Sequence, residues 1–245
     1  MTFSDDEIER YSRHLLLAEM GGPGQQRLKA ARIGLIGLGG IGAPAALYLA
    51  AAGVGALRLI DDDTVALSNL QRQILFTGAD TGRLKVEAGA EALEALNAHV
   101  HIEPVRERLT AANAADLIAR CDLVLDGTDD FTTRFAVNAA CVAAGIPLIS
   151  GALGRWSGQI AVFEGRPCYH CLVPEIPPDA ETCARTGVVG ALAGVIGSMA
   201  ALEAIKQITG AGTTLSGRLL LYDGLAGTAR TVTLPADPAC PVCGG

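Results

Sequence analysis

Residues 32–42 read Arg32-Ile33-Gly34-Leu35-Ile36-Gly37-Leu38-Gly39-Gly40-Ile41-Gly42, an apolar run followed at once by a G-x-G-x-x-G pattern. The run is typical of a buried β-strand, and the small residues that follow predict a helix over residues 41–52. Glycines at such a turn let the backbone approach a phosphate, and the helix N-terminus offers it amide donors. The pattern therefore predicts a nucleotide-binding loop, formed by Gly37, Gly39, Gly40 and Gly42.

Strand-like and helix-like segments alternate outward from this stretch. The predicted strands are residues 32–37, 56–60, 100–104, 122–126 and 147–150, and the predicted helices are residues 41–52, 85–97, 112–120 and 132–144. Such alternation indicates βαβ units on a parallel sheet. Strand-like segments at 159–163 and 219–234 have a hairpin or antiparallel context. We therefore expect an α/β fold with a Rossmann-like, mainly parallel sheet that antiparallel strands extend.

The N-terminal segment, Ser4 to Leu17, has the pattern of one amphipathic helix with Ser4 as its N-cap. Gly21-Gly22-Pro23-Gly24 is expected to break that helix.

Composition limits the classes of partner. The chain has 245 residues, enough for one large α/β domain, and a net charge of −7, which argues against a broad nucleic-acid surface. Seven cysteines, an odd number, without a signal peptide fit a reducing, cytoplasmic location. The uncharged stretch 186–202 contains several glycines and precedes Glu203 and Lys206, so it predicts a buried helix and no membrane partner.

Polar residues after the second strand suggest which nucleotide binds. Asp61 ends that strand, where it can accept hydrogen bonds from ribose hydroxyls. Ser68-Asn69-Leu70-Gln71-Arg72-Gln73 follows, and then Lys85 at a helix start. An enzyme attacking the α-phosphate of ATP needs such cations because pyrophosphate must leave. The alternatives are that Arg72 and Lys85 are ordinary surface charges, or that the loop and Asp61 bind NAD.

The fourth predicted strand ends in Asp126-Gly127-Thr128-Asp129-Asp130. Carboxylates at the carboxyl end of a parallel strand face the ligand crevice and are natural Mg²⁺ ligands beside a triphosphate. Asp129 and Asp130 could instead cap the following helix.

Two Cys-x-x-Cys pairs, Cys168 with Cys171 and Cys240 with Cys243, lie far apart in the sequence. Four thiolates in two such pairs can surround one Zn²⁺ tetrahedrally, which leaves no open position for a substrate. The pattern therefore predicts a structural zinc site that fastens the C-terminus onto the domain. The alternatives are a redox dithiol or a disulfide.

Several motifs occur together and in order: Arg10-Tyr11-Ser12-Arg13-His14, the glycine loop, Ser68–Gln73, Gly127-Thr128-Asp129 and both cysteine pairs. This combination resembles the ubiquitin-activating-enzyme-like adenylyltransferases of sulfur-carrier pathways, the MoeB/ThiF/HesA group, over essentially the whole chain. The resemblance implies a homodimer that uses ATP and Mg²⁺ to adenylate the C-terminal glycine of a ubiquitin-like sulfur carrier ending in Gly-Gly.

The resemblance also implies roles for individual residues. Gly40 would lie at the phosphates and Asp61 at the ribose, Asn69, Arg72 and Lys85 would grip the triphosphate, and Asp129 would handle Mg²⁺. Arg13 would reach into the partner subunit's ATP site, and the four paired cysteines would hold structural zinc. Asp130 stands where many members have asparagine, which leaves its cofactor-binding role open. One domain of residues 1–245 is implied, with an N-terminal arm (1–30), a nucleotide-binding half (31–151) and a carrier-binding half (152–245).

The unpaired Cys183 precedes the long apolar helix and lies near Arg185. Both neighbours would favour its thiolate, and in the thiamine branch of the resembling family a cysteine here can link covalently to the activated carrier. The alternative is a half-buried, inert thiol. Cys121 and Cys141 are expected to be core residues.

Two other functions share some of these features. An NAD-dependent oxidoreductase would carry the same glycine loop. A zinc-stabilised scaffold could hold a ubiquitin-like partner without activating it.

Overall fold

The computed structural model describes residues 2–176 and 187–244 of the chain. Its strands are β1 (Arg32–Ile36), β2 (Ala56–Ile60), β3 (His101–Val105), β4 (Leu123–Asp126), β5 (Leu148–Leu153), β6 (Ser157–Phe163), β7 (Arg218–Asp223) and β8 (Thr228–Thr233). Its α-helices are α1 (Asp5–Arg10), α2 (Ser12–Leu15), α3 (Gly21–Ala30), α4 (Gly42–Ala51), α5 (Lys85–Leu96), α6 (Ala114–Ile118), α7 (Phe131–Ala144), α8 (Tyr169–Leu172) and α9 (Gly190–Thr209).

The strands of this described part form one mixed sheet in the order β3-β2-β1-β4-β5-β6-β7-β8. The first five strands in that order pair in parallel, and β6, β7 and β8 add to the edge in antiparallel fashion. The order 3-2-1-4-5 is that of a doubly wound nucleotide-binding sheet, whose ligand crevice lies where the strand order reverses, between β1 and β4. The expected fold class is confirmed.

The pairing register brings three strand ends into line. Ile36, the last residue of β1, pairs with Ile60 of β2 on one side and with Asp126 of β4 on the other. The segments that follow these strands, beginning with Gly37, Asp61 and Gly127, therefore leave the sheet at the same edge.

Helices cover both faces of the sheet. Leu49 of α4, Leu93 of α5 and Ile196 of α9 are fully buried in the core of one face. Leu117 of α6 and Val137 of α7 are buried in the core of the other. Removing this apolar surface from water is the main force that holds the layers together.

The helix α9 is long and apolar enough to cross a membrane by length and composition alone. It packs in the core beside α4, and 44% of its most apolar window is buried in the fold. The predicted buried helix is thus present, with bounds shifted from residues 186–202 to Gly190–Thr209.

The N-terminal segment differs from the single helix expected. Ser4 does cap α1: its hydroxyl accepts from the Glu7 amide, and the Glu7 carboxylate accepts from the Ser4 amide. The helix then ends at Tyr11, before α2 begins. The Gly21–Gly24 motif separates α2 from the next helix, yet its residues form the first turn of α3. A proline fits there because the amides of a first turn have no partner within the helix.

Candidate functional site

A cavity of about 290 Å³ opens at the carboxyl ends of β1, β2 and β4. Small-molecule pockets start at about this size, roughly 300 Å³. Most of the residues predicted to bind nucleotide line this cavity: Gly37, Gly39, Gly40, Asp61, Asn69, Arg72, Lys85, Asp129 and Asp130. The strand ends thus bring together residues that lie up to 93 positions apart, from Gly37 to Asp130.

The glycine loop is held tightly between β1 and α4. Gly37 has φ +84°, a backbone conformation that favours glycine, and a β-carbon on Gly42 would lie 1.9 Å from the carbonyl oxygen of Gly37. Gly42 therefore lets the first turn of α4 pack directly on the loop. The loop itself lines the cavity, so its backbone can approach a phosphate.

Asp61 joins the loop to the neighbouring strand. Its carboxylate accepts hydrogen bonds from the backbone amides of Leu38 (2.7 Å) and Asp63 (2.9 Å). Its side chain is only 8% exposed. Burial raises the pKa of Asp61 despite the nearby Lys85 ammonium and the two amide donors. The two amides therefore fix the orientation of the carboxylate, and Asp61 still lines the cavity.

Lys85, the first residue of α5, is not an ordinary surface charge. Its side chain is 6% exposed, and its ammonium lies 2.9 Å from a carboxylate oxygen of Asp63 and 4.0 Å from one of Asp61. A buried cation at a cavity wall is well placed to attract phosphate, because its charge is poorly screened there.

Arg72 lies across the glycine loop. A β-carbon on Gly40 would be 3.5 Å from its Cδ, and its guanidinium donates to the carbonyl of Ser68 (3.1 Å). Asn69 stabilises the same turn by accepting from the amide of Ala66 (3.2 Å). Gln73 follows, 4% exposed, with its side-chain oxygen lacking a hydrogen-bond partner among the described residues. These contacts place a cation and two amides beside the loop.

The two carboxylates after β4 have different environments. Asp130 is the N-cap of α7 and accepts from the amide of Thr133 (2.9 Å) and its hydroxyl (2.7 Å). Although burial opposes it, these donors lower the pKa of Asp130. Asp129 is exposed at the cavity, and no hydrogen bond or ion pair to another described residue holds its carboxylate. The chemistry of this donor fits Mg²⁺, which Asp129 would hold beside a bound phosphate.

Arg134, which sequence reasoning missed, is a buried cation in the cavity wall. It is 6% exposed, and its guanidinium donates to the carbonyls of Thr128 and Gly151, the latter at 2.8 Å. Burial disfavours the charged guanidinium. The attraction of nearby groups, Asp126 above all, outweighs burial and raises the pKa of Arg134. Its position four residues after Asp130 is the only sequence signal that could have found it.

The four cysteines of the two pairs meet in one cluster. Their sulfurs all lie within 4.8 Å of one another, with 3.7 Å between Cys168 and Cys240 and 3.5 Å between Cys171 and Cys243. Thiolates placed tetrahedrally about 2.3 Å from Zn²⁺ have sulfurs about 3.8 Å apart. The described cysteines are free thiols, so the cluster is compatible with a structural zinc site.

Backbone amides support thiolate in both pairs. The amides of His170 and Cys171 point at the Cys168 sulfur, as those of Val242 and Cys243 do at Cys240. At Cys240 these amides outweigh burial and lower the pKa to about 7, whereas at Cys168 burial prevails and the pKa stays raised. A metal ligand must be deprotonated, so these donors favour metal binding.

Of the described residues that were predicted for the nucleotide site, Arg13, Gly42 and Ser68 do not line the cavity. Arg13 is exposed on α2, and its neighbours anchor that helix. The hydroxyl of Tyr11 accepts from Asn97 (2.9 Å), and His14 is hydrogen-bonded to the buried Gln25 (3.0 Å). The arm thus presents Arg13 on the surface and not in the cavity.

Cys183 lies outside the described residues, so its predicted thiol chemistry stays a prediction. Cys121 and Cys141 are buried, as expected of core residues. Burial raises the pKa of Cys121 to about 11 and that of Cys141 to about 12, so both thiols are protonated and inert at neutral pH.

Fold and site together define a Rossmann-like nucleotide-binding protein with cations beside its glycine loop and a four-cysteine cluster at its C-terminus. The chain belongs to the ThiF family, whose sequence pattern it matches over residues 11–242. This finding confirms the resemblance from the motifs.

Similarity to known proteins extends over nearly the whole chain. It is 48% identical over 244 residues to the molybdopterin-synthase adenylyltransferase of Escherichia coli (strain K12), covering 98% of each chain. It is 44% identical over 253 residues to the sulfur carrier protein adenylyltransferase of Thermus thermophilus, covering 100% of this chain and 93% of the relative.

Solved structures share the fold. The crystal structure of E. coli MccB with MccA-N7isoASN superposes with a TM-score of 0.87 at 22% identity, over 100% of this chain and 76% of that one. The crystal structure of PaaA gives a TM-score of 0.83 at 25% identity, over 95% of this chain and 75% of that one. Both likenesses agree with the mixed sheet described above.

Proposed function

We propose that the protein is an ATP-dependent adenylyltransferase that activates the C-terminal glycine of a ubiquitin-like sulfur-carrier protein as an acyl-adenylate, for molybdopterin or thiamine biosynthesis. Family membership and the named activities of two relatives, which cover 98% and 100% of the chain, support this function. One observation carries it: the cations Arg72 and Lys85 lie with Asp129 around the glycine loop of one cavity. That is the environment a triphosphate needs.

The cavity suggests how ATP lies. Asp61, at the end of β2, would accept hydrogen bonds from the ribose hydroxyls, and the loop around Gly40 would approach the phosphates. Asn69, Arg72 and Lys85 would hold the triphosphate from the opposite side of the loop. Lys85 would then exchange part of its interaction with the exposed Asp63 for phosphate oxygens.

The chemistry needs no side-chain nucleophile. The carrier's terminal carboxylate, ionised at neutral pH, attacks the α-phosphorus of ATP. A bond forms between a carboxylate oxygen and that phosphorus, the bond from phosphorus to the bridging oxygen breaks, and pyrophosphate carries away the electron pair. No proton moves. The chain's own contribution is to position both reactants and to stabilise the charge on the departing pyrophosphate through Arg72 and Lys85.

Asp129 would hold Mg²⁺ against the phosphates, with Asp130 capping α7 behind it. When bound, the ion would neutralise phosphate charge. The four paired cysteines would hold Zn²⁺ as a structural ion, because four protein ligands leave no position for a substrate.

A second cavity, of about 720 Å³, offers a path for the carrier. Strands β5 to β8 line it, and it shares Ala152 and Leu153 with the nucleotide cavity. We propose that residues 152–245 form the carrier-binding half, that residues 31–151 form the nucleotide-binding half, and that the carrier's Gly-Gly tail passes from one cavity to the other.

We also propose a homodimer, located in the cytoplasm, in which Arg13 of the arm (residues 1–30) enters the partner's ATP site. Three large apolar side chains are exposed where a second copy could cover them: Leu16 (76%) after α2, Tyr48 (58%) on α4 and Leu202 (56%) on α9. A second copy that covered them would remove their apolar surface from water.

Two measurements separate this function from the alternatives. Calorimetry should show binding of Mg–ATP and not of NAD; the reverse result would favour an oxidoreductase. Intact-mass analysis of a carrier ending in Gly-Gly should show an AMP adduct after incubation with ATP and the protein. A carrier that binds equally well without ATP and gains no adduct would indicate a scaffold.

A further inference from the structure

One face of α7 carries polar side chains that run from the nucleotide cavity to the four-cysteine cluster. Asp130, Arg134 and Asn138 follow one another at intervals of four residues, so they lie along the same side of the helix. Two turns of helix separate the first from the last, a span of about 12 Å. Arg134 and Asn138 are 6% and 1% exposed, which is unusual for two polar residues in the middle of a helix.

At the far end, Asn138 is bound to the cluster. Its side-chain amide donates to the Cys168 sulfur (3.5 Å), and its side-chain oxygen accepts from the backbone amide of Tyr169 (2.8 Å). A bond from a neutral amide to sulfur is stronger when the sulfur is a thiolate, because the acceptor is then charged. The strength of the bond from Asn138 therefore depends on whether Cys168 is a neutral thiol or a metal-bound thiolate.

In the middle, Tyr169 and Arg134 are neighbours. The guanidinium carbon lies 6.0 Å from the centre of the Tyr169 ring, so the cation faces the aromatic side chain. Tyr169, which follows Cys168, thus contacts Asn138 through its backbone and Arg134 through its side chain.

At the near end, Arg134 fixes the turn that carries Asp129. It donates to the carbonyl of Thr128, while the buried Asp126 accepts from the Thr128 amide (3.0 Å) and hydroxyl (2.7 Å). Thr128 is therefore held on both sides, and Asp129 is the next residue. Since Asp129 has no hydrogen bond or ion pair to another described residue, its direction depends on this turn.

We propose that Asn138, Tyr169 and Arg134 form a positioning relay that links the four-cysteine cluster to the Asp129 turn. Metal at the cluster orders the Cys168–Tyr169 segment, Tyr169 restrains Arg134, and Arg134 sets the direction of the Asp129 carboxylate. The cluster then raises the affinity for Mg–ATP as well as the stability of the fold. This inference rests on the proposed binding of Mg–ATP in the cavity.

Linkage between two sites is reciprocal, so the relay can be tested in the unaltered chain. The protein is loaded with Co²⁺ at the cluster, where the absorption bands of the thiolate–cobalt site report on its geometry. Saturating Mg–ATP should shift these bands, and ATP without added Mg²⁺ should shift them less. Bands that stay unchanged while calorimetry records full Mg–ATP binding would overturn the relay. An absence of ATP binding would instead contradict the proposed function.

Variants test the individual links by calorimetry on the zinc-loaded protein. Arg134→Lys keeps the charge but cannot bridge two carbonyls in the same way, and should raise the Kd for Mg–ATP about tenfold while leaving that for metal-free ATP within about twofold. Asn138→Ala should raise the Kd for Mg–ATP by a smaller factor, about threefold, and abolish the cobalt shift.

Thr209→Val is the matched control. Thr209 is fully buried, and its hydroxyl donates to the carbonyl of Ile205 (2.7 Å) in α9, on the opposite face of the sheet. It should lower stability without changing either Kd. If it raises the Kd for Mg–ATP as much as Asn138→Ala does, the effect is one of general stability and the relay is wrong. Equal losses of Mg–ATP and metal-free ATP affinity in Arg134→Lys would likewise contradict it.

Discussion

Asp130 and Thr133 form a closed N-cap, in which both the amide and the hydroxyl of Thr133 donate to one carboxylate oxygen of Asp130. This contact divides the roles of two adjacent acids. Asp130 is used by α7, whereas Asp129 is left facing the nucleotide cavity. The sequence alone left open whether either residue, or both, capped the helix.

Replacing each acid by alanine should separate the two roles. Asp129→Ala should abolish Mg²⁺-dependent adenylation and change the free energy of unfolding by less than about 0.5 kcal/mol, as for a surface substitution. Asp130→Ala should lower that free energy by about 1 kcal/mol through loss of the cap. Denaturant unfolding and adenylation assays measure both. Wild-type turnover in Asp129→Ala would refute the assignment of Asp129.

The Asp130 cap also predicts a pH dependence. Because the folded-state pKa of Asp130 is lowered, its contribution to stability is present above the unfolded value of about 3.9 and is lost as pH falls through the lower folded value. Asp130→Asn keeps an acceptor for Thr133 but does not titrate. The wild type should therefore lose stability relative to this variant below about pH 4. A difference that is constant from pH 3 to pH 7 would show that the cap does not depend on charge.

Arg13 should act across the dimer. Arg13→Ala and Lys85→Ala homodimers should both be inactive, because each lacks one residue at both sites. Exchanging subunits in equal amounts yields half heterodimers, each with one intact site, so activity should recover to about a quarter of wild type. Steady-state adenylation after mixing measures the recovery. No recovery despite verified subunit exchange would place Arg13 and Lys85 in the same subunit's site.

Metal at the four-cysteine cluster should stabilise the fold. Cys243→Ser, or removal of zinc by a chelator, should lower Tm by about 10 °C or more, because binding free energy at such a site is folding free energy. Cys141→Ser is the control: this thiol is buried but is not one of the four clustered sulfurs, so its variant should retain zinc. A Tm that is unchanged both by chelation and by Cys243→Ser would argue against a structural metal.

Much of the site could be predicted because parallel strands end at one edge. Asp61 and Asp129 follow their strands closely, so locating the strands also located the residues. The predicted start of α5 located Lys85, but its burial and its ion pair with Asp63 could not be foreseen. The family, the fold class and the meeting of the two cysteine pairs follow from motifs with fixed spacing.

What the sequence could not reveal depends on contacts between distant segments. Arg134 and Asn138 are buried polar residues on a helix whose pattern gives no sign of their partners, Gly151 and Cys168. The anchoring of the N-terminal arm depends on Tyr11 meeting Asn97, 86 residues away. Such partners are fixed only when the layers pack.

The central claim is that this cavity transfers AMP from ATP to a carrier's terminal glycine. Exchange of labelled pyrophosphate into ATP, measured with and without a sulfur carrier ending in Gly-Gly, tests it most directly. We expect exchange that requires the intact carrier terminus and falls at least about a hundredfold in Arg72→Ala. Arg83→Ala, which removes a partly exposed arginine paired with Asp80 and Glu91, should exchange like the wild type. An absence of exchange with every sulfur carrier of the same genome, or exchange unaffected by Arg72→Ala, would contradict the account.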